Sequence, residues 1–333
     1  MLDILLLILV VVLALIFDYV NGFHDTANAI ATSVTTRALS PRTAIILAAG
    51  LNFLGALSGT AVAKTIGSSI IKPGMVDEKV LILALAGAIV WNLFTWYFGI
   101  PSSSSHALIG GLTGASVAMF GIHSVNWPGL GVIVFFLIAS TVVGLVVGAL
   151  VMTVLSRVFR GASPNRMNTI FRRLQVLSAC MMAFSHGSND AQKSMGIITM
   201  ALLSAGYIST FHVPAWVMLA CATAMGLGTA AGGWRIIATL GSKIFRIEPI
   251  NGFAADFSSS VVIYTASVMG YPVSTTHVVS SSIIGVGCAK QITGVRWETA
   301  RRLVTAWLIT IPTTAFISLI FFKLLELCLG AHI

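Results

Sequence analysis

Charged residues are scarce in this chain of 333 residues, where Asp, Glu, Lys and Arg together make up 9%. An average soluble domain has about 25% charged residues, so this composition excludes an ordinary water-soluble protein. Hydrophobic residues reach 57%, with a mean hydropathy of +0.96. At about 20 apolar residues per span, the hydrophobic runs amount to about ten candidate spans, which predicts a polytopic membrane protein.

Cysteine pairs and catalytic motifs are also missing. The four cysteines are scattered through apolar stretches without a Cys-x-x-Cys pair, so we interpret them as small core residues. The sequence contains neither a Gly-x-x-x-x-Gly-Lys loop nor a Gly-x-Ser-x-Gly elbow. These absences argue against ATP as the direct energy source and against a hydrolase. We therefore expect neither an enzyme nor a bound cofactor.

Acidic residues are outnumbered by basic ones, 10 to 19, which gives a formal net charge of +9. The basic residues concentrate in short loops, as the cytoplasmic loops of membrane proteins do, so we do not expect a nucleic-acid partner. The stretch 157–173 has five arginines and no acid. It predicts a cytoplasmic linker between a first transmembrane repeat, 1–156, and a second, 174–333.

The loop charges also predict an orientation. Arg37 and Arg42 follow the first apolar run, and a last basic loop precedes the final one. The positive-inside rule then places both termini outside the cytoplasm, although three lysines between 64 and 79 count against it. Among the spans, we expect segments close to 2–20, 43–63, 80–98, 129–156 and 303–325.

Two polar motifs stand out against the apolar background. Residues 21–28 read Asn-Gly-Phe-His-Asp-Thr-Ala-Asn directly after the first span. Residues 186–193 read His-Gly-Ser-Asn-Asp-Ala-Gln-Lys, and we expect them to interrupt a span. Asp25 and Asp190, which are equivalent in the two motifs, are 165 residues apart.

An ionised Asp at the bilayer centre costs about 3 kcal/mol, so such a residue faces a cavity or the protein interior and marks a functional site. The predicted coupling-cation site, for Na⁺ or H⁺, consists of Asn21, Asp25, Asn28, Asn189 and Asp190. The alternative is a purely structural ion pair between Asp190 and Lys193, three residues apart on one helix face.

The two members of a second pair of motifs are more similar to each other in sequence. Residues 99–106 read Gly-Ile-Pro-Ser-Ser-Ser-Ser-His, and residues 270–277 read Gly-Tyr-Pro-Val-Ser-Thr-Thr-His, an offset of 171 residues. Two motifs that recur in the same order at nearly one offset indicate an internal duplication. We therefore predict an all-α polytopic membrane protein with two inverted-topology repeats and broken or re-entrant helices near the midplane.

A proline followed by hydroxyl residues can begin a half-helix, whose N–H groups and dipole favour an anion. Two such starts facing each other would hold a tetrahedral oxyanion, whereas the alternative is a pair of ordinary helix caps. The predicted anion site consists of Ser102, Ser103, Ser104, Ser105, Ser274, Thr275, Thr276 and Lys193. Further roles in proton or substrate handling are possible for His106, His277 and Asp256.

These paired motifs resemble the inorganic phosphate transporter (PiT) family, and the resemblance extends over both halves, to short bacterial members. It implies cation-coupled phosphate uptake, two inverted repeats with re-entrant hairpins, and a homodimer. The family signature usually reads Gly-Ala-Asn-Asp, whereas here Gly22 is followed by Phe, His and Asp. Longer relatives carry a hydrophilic domain between the halves, so regulation here would need a separate cytoplasmic protein.

From residues and resemblance together we predict a secondary transporter of the cell (inner) membrane that takes up inorganic phosphate with H⁺ or Na⁺. Three alternatives stay open. The chain could carry sulfate or another oxyanion, it could be an anion channel with the Ser motifs as its filter, or it could bind phosphate without moving it.

Overall fold

The computed structural model describes residues 2–72 and 74–329, and this part of the chain is almost entirely α-helical. The α-helices, α1 to α12 in chain order, are Leu2–Thr35, Pro41–Ala56, Ala61–Ser69, Glu78–Tyr97, Ser104–Phe120, Trp127–Val158, Pro164–Ser204, Ala215–Ala231, Trp234–Ser242, Pro249–Val268, Thr275–Gln291 and Trp297–Leu329. The predicted all-α class is confirmed.

Four of these helices, α1, α4, α6 and α12, are long and apolar enough to cross a membrane. The α2 and α3 helices form a fifth candidate that is bent by 68°, so the span expected at 43–63 is broken. The count is lower than the about ten spans expected from 20 apolar residues each. The reason is that several helices near the centre are short or carry many polar side chains.

The two polar motifs lie inside unbroken helices. The α1 helix continues through residues 21–28, and α7 continues through 186–193. The expectations of a first span that ends at 20 and of an interruption at 186–193 were therefore wrong. A helix hydrogen-bonds its own backbone, so a buried polar side chain needs a partner on a neighbouring helix and does not have to break its own.

The Ser-rich motifs, by contrast, are breaks as predicted. Each begins with a glycine of positive φ, +65° at Gly99 and +78° at Gly270, a conformation that glycine adopts without steric cost. After the following proline, α5 and α11 begin, and the Oγ atoms of Ser103 and Ser274 accept hydrogen bonds from backbone amides in the first turn.

The starts of α5 and α11 meet inside the molecule. The Ser105 hydroxyl donates to the Val273 carbonyl at 3.0 Å, and the His106 and His277 rings lie 4.4 Å apart between centroids. Asp25 of α1 contacts both starts, and Asp190 of α7 contacts the start of α11. The arrangement places two helix N-termini beside two polar motifs that are far away in sequence.

The arginine-rich stretch 157–173 is largely helical. The α6 helix ends at Val158 and α7 begins at Pro164, so only residues 159–163 separate them. Arg166, Arg172 and Arg173 belong to the first turns of α7. The two halves are thus joined by a short turn that brings several guanidinium groups to one end of the helix bundle.

Candidate anion and cation site

Two buried carboxylates lie where the starts of α5 and α11 meet. Ser104 and Thr276 donate from their hydroxyls to Asp25, at 3.2 and 3.3 Å. Thr275 donates to Asp190 Oδ2 at 3.2 Å. Asp25 belongs to α1 and Asp190 to α7, and both are at most 2% exposed. Each helix start therefore contributes a hydroxyl to at least one acid, and α11 contacts both.

All seven predicted hydroxyl residues are buried, but they have different partners. Ser103 and Ser274 cap their helices, and Ser105 bonds a carbonyl of the other start. Only Ser104, Thr275 and Thr276 reach the acids. The first amides of a helix have no partner within it, so two sets of N–H donors lie beside these hydroxyls.

The three asparagines of the predicted cation site each have a buried amide oxygen without a partner within the described residues. Asn21 donates from Nδ2 to Asp190 at 3.3 Å, and Asn28 donates from Nδ2 to Thr276 at 2.9 Å. The Oδ1 atoms of Asn21, Asn28 and Asn189 have no hydrogen-bond partner within the described part of the chain. Unsatisfied buried acceptors are rare in folded proteins and call for a ligand or water. Amide and carboxylate oxygens together suit a hard cation.

The two acids differ in their basic neighbours. Asp190 Oδ1 lies 2.6 Å from Lys193 Nζ, with both side chains buried. The ion pair that we considered as the structural alternative is therefore present, and it directs the Lys193 ammonium toward an acid of the site. Asp25 Oδ1 lies 2.7 Å from His24 Nδ1, and an imidazole is not obliged to carry a charge. Asp25 is therefore the acid that is more open to an added cation.

The acids also lie close to each other. Asp25, His186 and Asp190 can each offer one atom such that all three atoms lie within 4.8 Å of one another. Two carboxylates at this separation repel each other unless a cation or proton lies between them. This geometry provides the charge that a bound cation would neutralise.

The other candidate residues lie away from the acids. His106 Nδ1 is 2.8 Å from Ser103 Oγ, and the His277 ring stacks on Trp307 at 4.1 Å. Both rings belong to the first turns of α5 and α11. Asp256, on α10, accepts from the Thr32 hydroxyl at 2.6 and 2.7 Å. Since Thr32 follows Asp25 by two helix turns, Asp256 is about 10 Å along α1 from the central acids.

The sequence analysis did not single out two polar residues, Thr95 and Asn52, that contact residues of the polar motifs. Thr95 lies 3.1 Å from His24 Nε2 and 2.8 Å from Ser102 Oγ. Asn52 Oδ1 lies 3.1 Å from His186 Nδ1. Both residues are isolated polar positions within apolar helices, and that was the signal available. Their histidine partners could not be known, because His24 is 71 residues from Thr95 and His186 is 134 residues from Asn52.

Continuous helices that enclose two helix starts, with buried acids beside them, are the arrangement typical of polytopic membrane transporters, and the candidate site lies at these helix breaks. The sequence profile of the Phosphate transporter family matches residues 21–318, and the chain belongs to this family. The predicted resemblance is thereby confirmed, and the relatives below are named as transporters and not as enzymes.

The chain is similar to full-length bacterial proteins. It is 49% identical over 330 residues to the "Probable low-affinity inorganic phosphate transporter" of Bacillus subtilis (strain 168), covering 98% of this chain and 99% of that protein. It is 47% identical to the protein of the same name in Rhizobium meliloti (strain 1021), covering 94% of each. A solved structure, "The sodium-dependent phosphate transporter", has a TM-score of 0.87 and 26% identity, covering 97% of this chain and 99% of that one.

Proposed function

We propose that this chain is a symporter that moves inorganic phosphate across the cell membrane together with Na⁺ or H⁺. The observation that carries the proposal is the meeting of two hydroxyl-bearing helix starts at a pair of buried acids. The same cluster of side chains then offers donors for an anion and acceptors for a cation. Binding both together lowers the cost of taking either into the bilayer.

The anion part of the proposal uses the first turns of α5 and α11. Hydroxyls of the two serine and threonine groups, 102–105 and 274–276, and the amides beside them would donate to the phosphate oxygens. Lys193 would add the one full positive charge while staying paired with Asp190. Mostly neutral donors suit a transported ion, because the ion has to leave again.

The cation part uses the two carboxylates together with the amide oxygens that have no donor. Asp25, Asp190 and the amide oxygens of Asn21, Asn28 and Asn189 would surround the ion. The name of the structural neighbour, which mentions sodium, supports Na⁺, whereas the close carboxylate pair suits a shared proton equally well. Occupancy would remove the repulsion between the acids and allow the loaded core to change its exposed side.

The remaining parts of the proposal concern the setting. We expect the inner membrane in a two-membrane cell, with both termini outside the cytoplasm because of the arginine-rich turn. We also expect a homodimer and regulation by a separate cytoplasmic protein. Cross-linking in intact membranes and labelling of single introduced cysteines from each side would check these expectations.

The experiment that tests the function is uptake of ³²P-phosphate by proteoliposomes, with Na⁺ and pH gradients imposed separately and sulfate as a competitor. Accumulation against the phosphate gradient, driven by one of the two cations, is the expected result. Equilibration without accumulation would instead identify an anion channel. Vesicles that bind phosphate but never fill would identify a binding protein. Strong competition by sulfate would show that the protein accepts other oxyanions besides phosphate.

A further inference from the structure

A cavity of about 620 Å³ opens at the end of α1 that lies beside the α6–α7 turn. Three separate segments form it: the end of α1, the α6–α7 junction, and the residues before α10. The residues that carry the argument are Thr36, Arg37, Asn168, Arg172, Arg246 and Glu248. The cavity lies outside the site described above, whose residues do not line it.

The charge of this cavity is strongly unbalanced. Arg37, Arg172 and Arg246 are exposed, and within the described residues no acid lies at ion-pair distance from any of them. The one acid in the lining, Glu248, is already paired with Lys290 at 2.5 Å. Three guanidinium charges converge on one concave surface, which raises the local concentration of anions.

The positive-inside rule explains arginines at this end of the molecule but not their convergence. Arg173 is next to Arg172 and Arg42 is near Arg37, yet neither lines the cavity. Arg37 also has a φ of +58°, a backbone conformation that costs a non-glycine residue about 1 kcal/mol or more. The chain holds an arginine where a glycine would be unstrained.

The chemistry of the lining fits a phosphate group. A guanidinium group presents a planar fork of donors that matches two phosphate oxygens. Asn168, which also lines the cavity, adds a side-chain amide as a neutral donor. Because these arginines are solvated and not fully buried, they would bind an anion loosely, as a collecting site requires.

A polar face of α1 connects the cavity to the central acids. Thr36 donates to Gln175 at 2.6 Å, Thr32 donates to Asp256, and Asn28 donates to Thr276. Asn28 and Thr32 on α1 and Thr36 directly after it are spaced by four, and the Thr36 amide still bonds the Thr32 carbonyl, so the three residues share one face; each is at most 7% exposed. The cavity therefore lies at the end of a buried polar stripe that leads to Asp25.

We infer that this cavity is a second anion-binding site, at the arginine-rich mouth of the transport route, that binds a phosphate group through Arg37, Arg172 and Arg246. The inference rests on the proposed function, since it assigns a place where the anion is collected or released. The phosphate group would come from free phosphate in transit or from the headgroup of an anionic lipid.

The test compares Arg172→Gln and Arg246→Gln with Arg173→Gln and Arg42→Gln, which remove the same charge nearby but outside the cavity. Uptake of ³²P-phosphate is measured in neutral phosphatidylcholine vesicles at low and high ionic strength. We expect the two cavity variants to raise the half-saturating phosphate concentration about threefold at low salt, and less at high salt. The control variants should stay at the wild-type value.

A second arm distinguishes the two sources of phosphate. Vesicles containing a phosphatidylinositol phosphate are compared with neutral vesicles for all five proteins. If a lipid headgroup is the ligand, the cavity variants lose the lipid's effect on uptake while their phosphate dependence in neutral vesicles stays unchanged. If free phosphate is the ligand, the shift appears in neutral vesicles. Either result supports the inference.

A third measurement does not need transport. The rise in thermal unfolding temperature on adding phosphate reports binding to the folded purified protein. The double variant Arg172→Gln/Arg246→Gln should lose part of this rise, and Arg173→Gln should keep it. Equal behaviour of the cavity and control variants in all three measurements would overturn the inference. Failure of the wild-type protein to take up phosphate, with the rise intact, would count against the proposed function alone.

Discussion

Asp25 and Asp190 occupy equivalent positions in two similar motifs, but their surroundings make them chemically different. Asp190 is paired with the side-chain amine of Lys193, whereas Asp25 has an imidazole and two hydroxyl donors. The charge of Asp190 is already balanced in this conformation. Asp25 is therefore the residue at which an added cation changes the electrostatic energy most.

Replacing Asp25 by Asn should reduce cation-driven phosphate uptake about tenfold or more, because a contact to a charged group worth roughly 1.5–3 kcal/mol is lost. The measurement is the initial rate of ³²P-phosphate uptake under an imposed Na⁺ or pH gradient. The control is Asp3→Asn, which removes an exposed charge. A wild-type rate in Asp25→Asn would remove this acid from the mechanism.

Replacing Lys193 by Met should destabilise the fold by about 3 kcal/mol, because Asp190 would be left as an uncompensated buried charge. The double variant Lys193→Met/Asp190→Asn should recover most of this loss while uptake stays low. Thermal unfolding in detergent measures the stability of both proteins. A single variant as stable as the wild type would mean that the pair does not stabilise this conformation.

At the scale of the helices, the serine motifs combine two roles that the sequence could not separate. Ser103 and Ser274 satisfy helix amides, while their neighbours contact the acids. The alternative interpretation made from the sequence, ordinary helix caps, therefore applies to Ser103 and Ser274, while the anion site stays a proposal for their neighbours. The position of each hydroxyl within the first turn decides whether it caps the helix or contacts an acid.

Ser103→Ala should cost about 1 kcal/mol of stability through the lost cap, and Ser103→Gly only a few tenths. Ser104→Ala should leave stability nearly unchanged and raise the half-saturating phosphate concentration. Thermal unfolding and uptake measured on the same preparations separate the two effects. Equal changes in both quantities for Ser103→Ala and Ser104→Ala would contradict this division of roles.

Close helix contacts through small residues set the positions of α11 and its start. A Cβ on Gly148 in α6 would lie 2.6 Å from the Ser282 carbonyl oxygen of α11. Gly148→Leu should therefore push α6 and α11 apart and lower the thermal unfolding temperature. Gly131→Ala, on the same helix and with open space around it, is the matched control. Unchanged stability in Gly148→Leu would show that the contact is not limiting.

For the whole molecule, the two helix starts join the first and second halves of the chain beside the central acids, where the Ser105 hydroxyl of the first half donates to the Val273 carbonyl of the second. Rocking of one half against the other would have to alter this contact. A link between the two helix starts should therefore stop transport without unfolding the protein.

The variant Ser105→Cys/Val273→Cys, with the four native cysteines replaced, tests this. We expect oxidation to block phosphate uptake and a reductant to restore it, because the starts of α5 and α11 would be tied together. Ser105→Cys alone, treated in the same way, is the control. Full uptake by the cross-linked protein would exclude relative movement at this contact.

The sequence by itself determined that the chain is a helical membrane protein and that α5 and α11 begin at the motifs that contain Pro101 and Pro272, and it singled out Asp25 and Asp190 as candidate site residues. These features depend on composition and on local rules for helix starts, which act within a few residues. It did not reveal that 21–28 and 186–193 lie inside unbroken helices.

Only the tertiary structure decided which residues serve as partners. The hydroxyl of Thr276 at Asp25, the imidazole of His186 at Asn52, and the three arginines of one cavity come from distant parts of the chain. A buried polar side chain needs a partner, but its own neighbourhood in sequence does not say which one. The packing of the helices provides that partner, because it alone determines which faces meet.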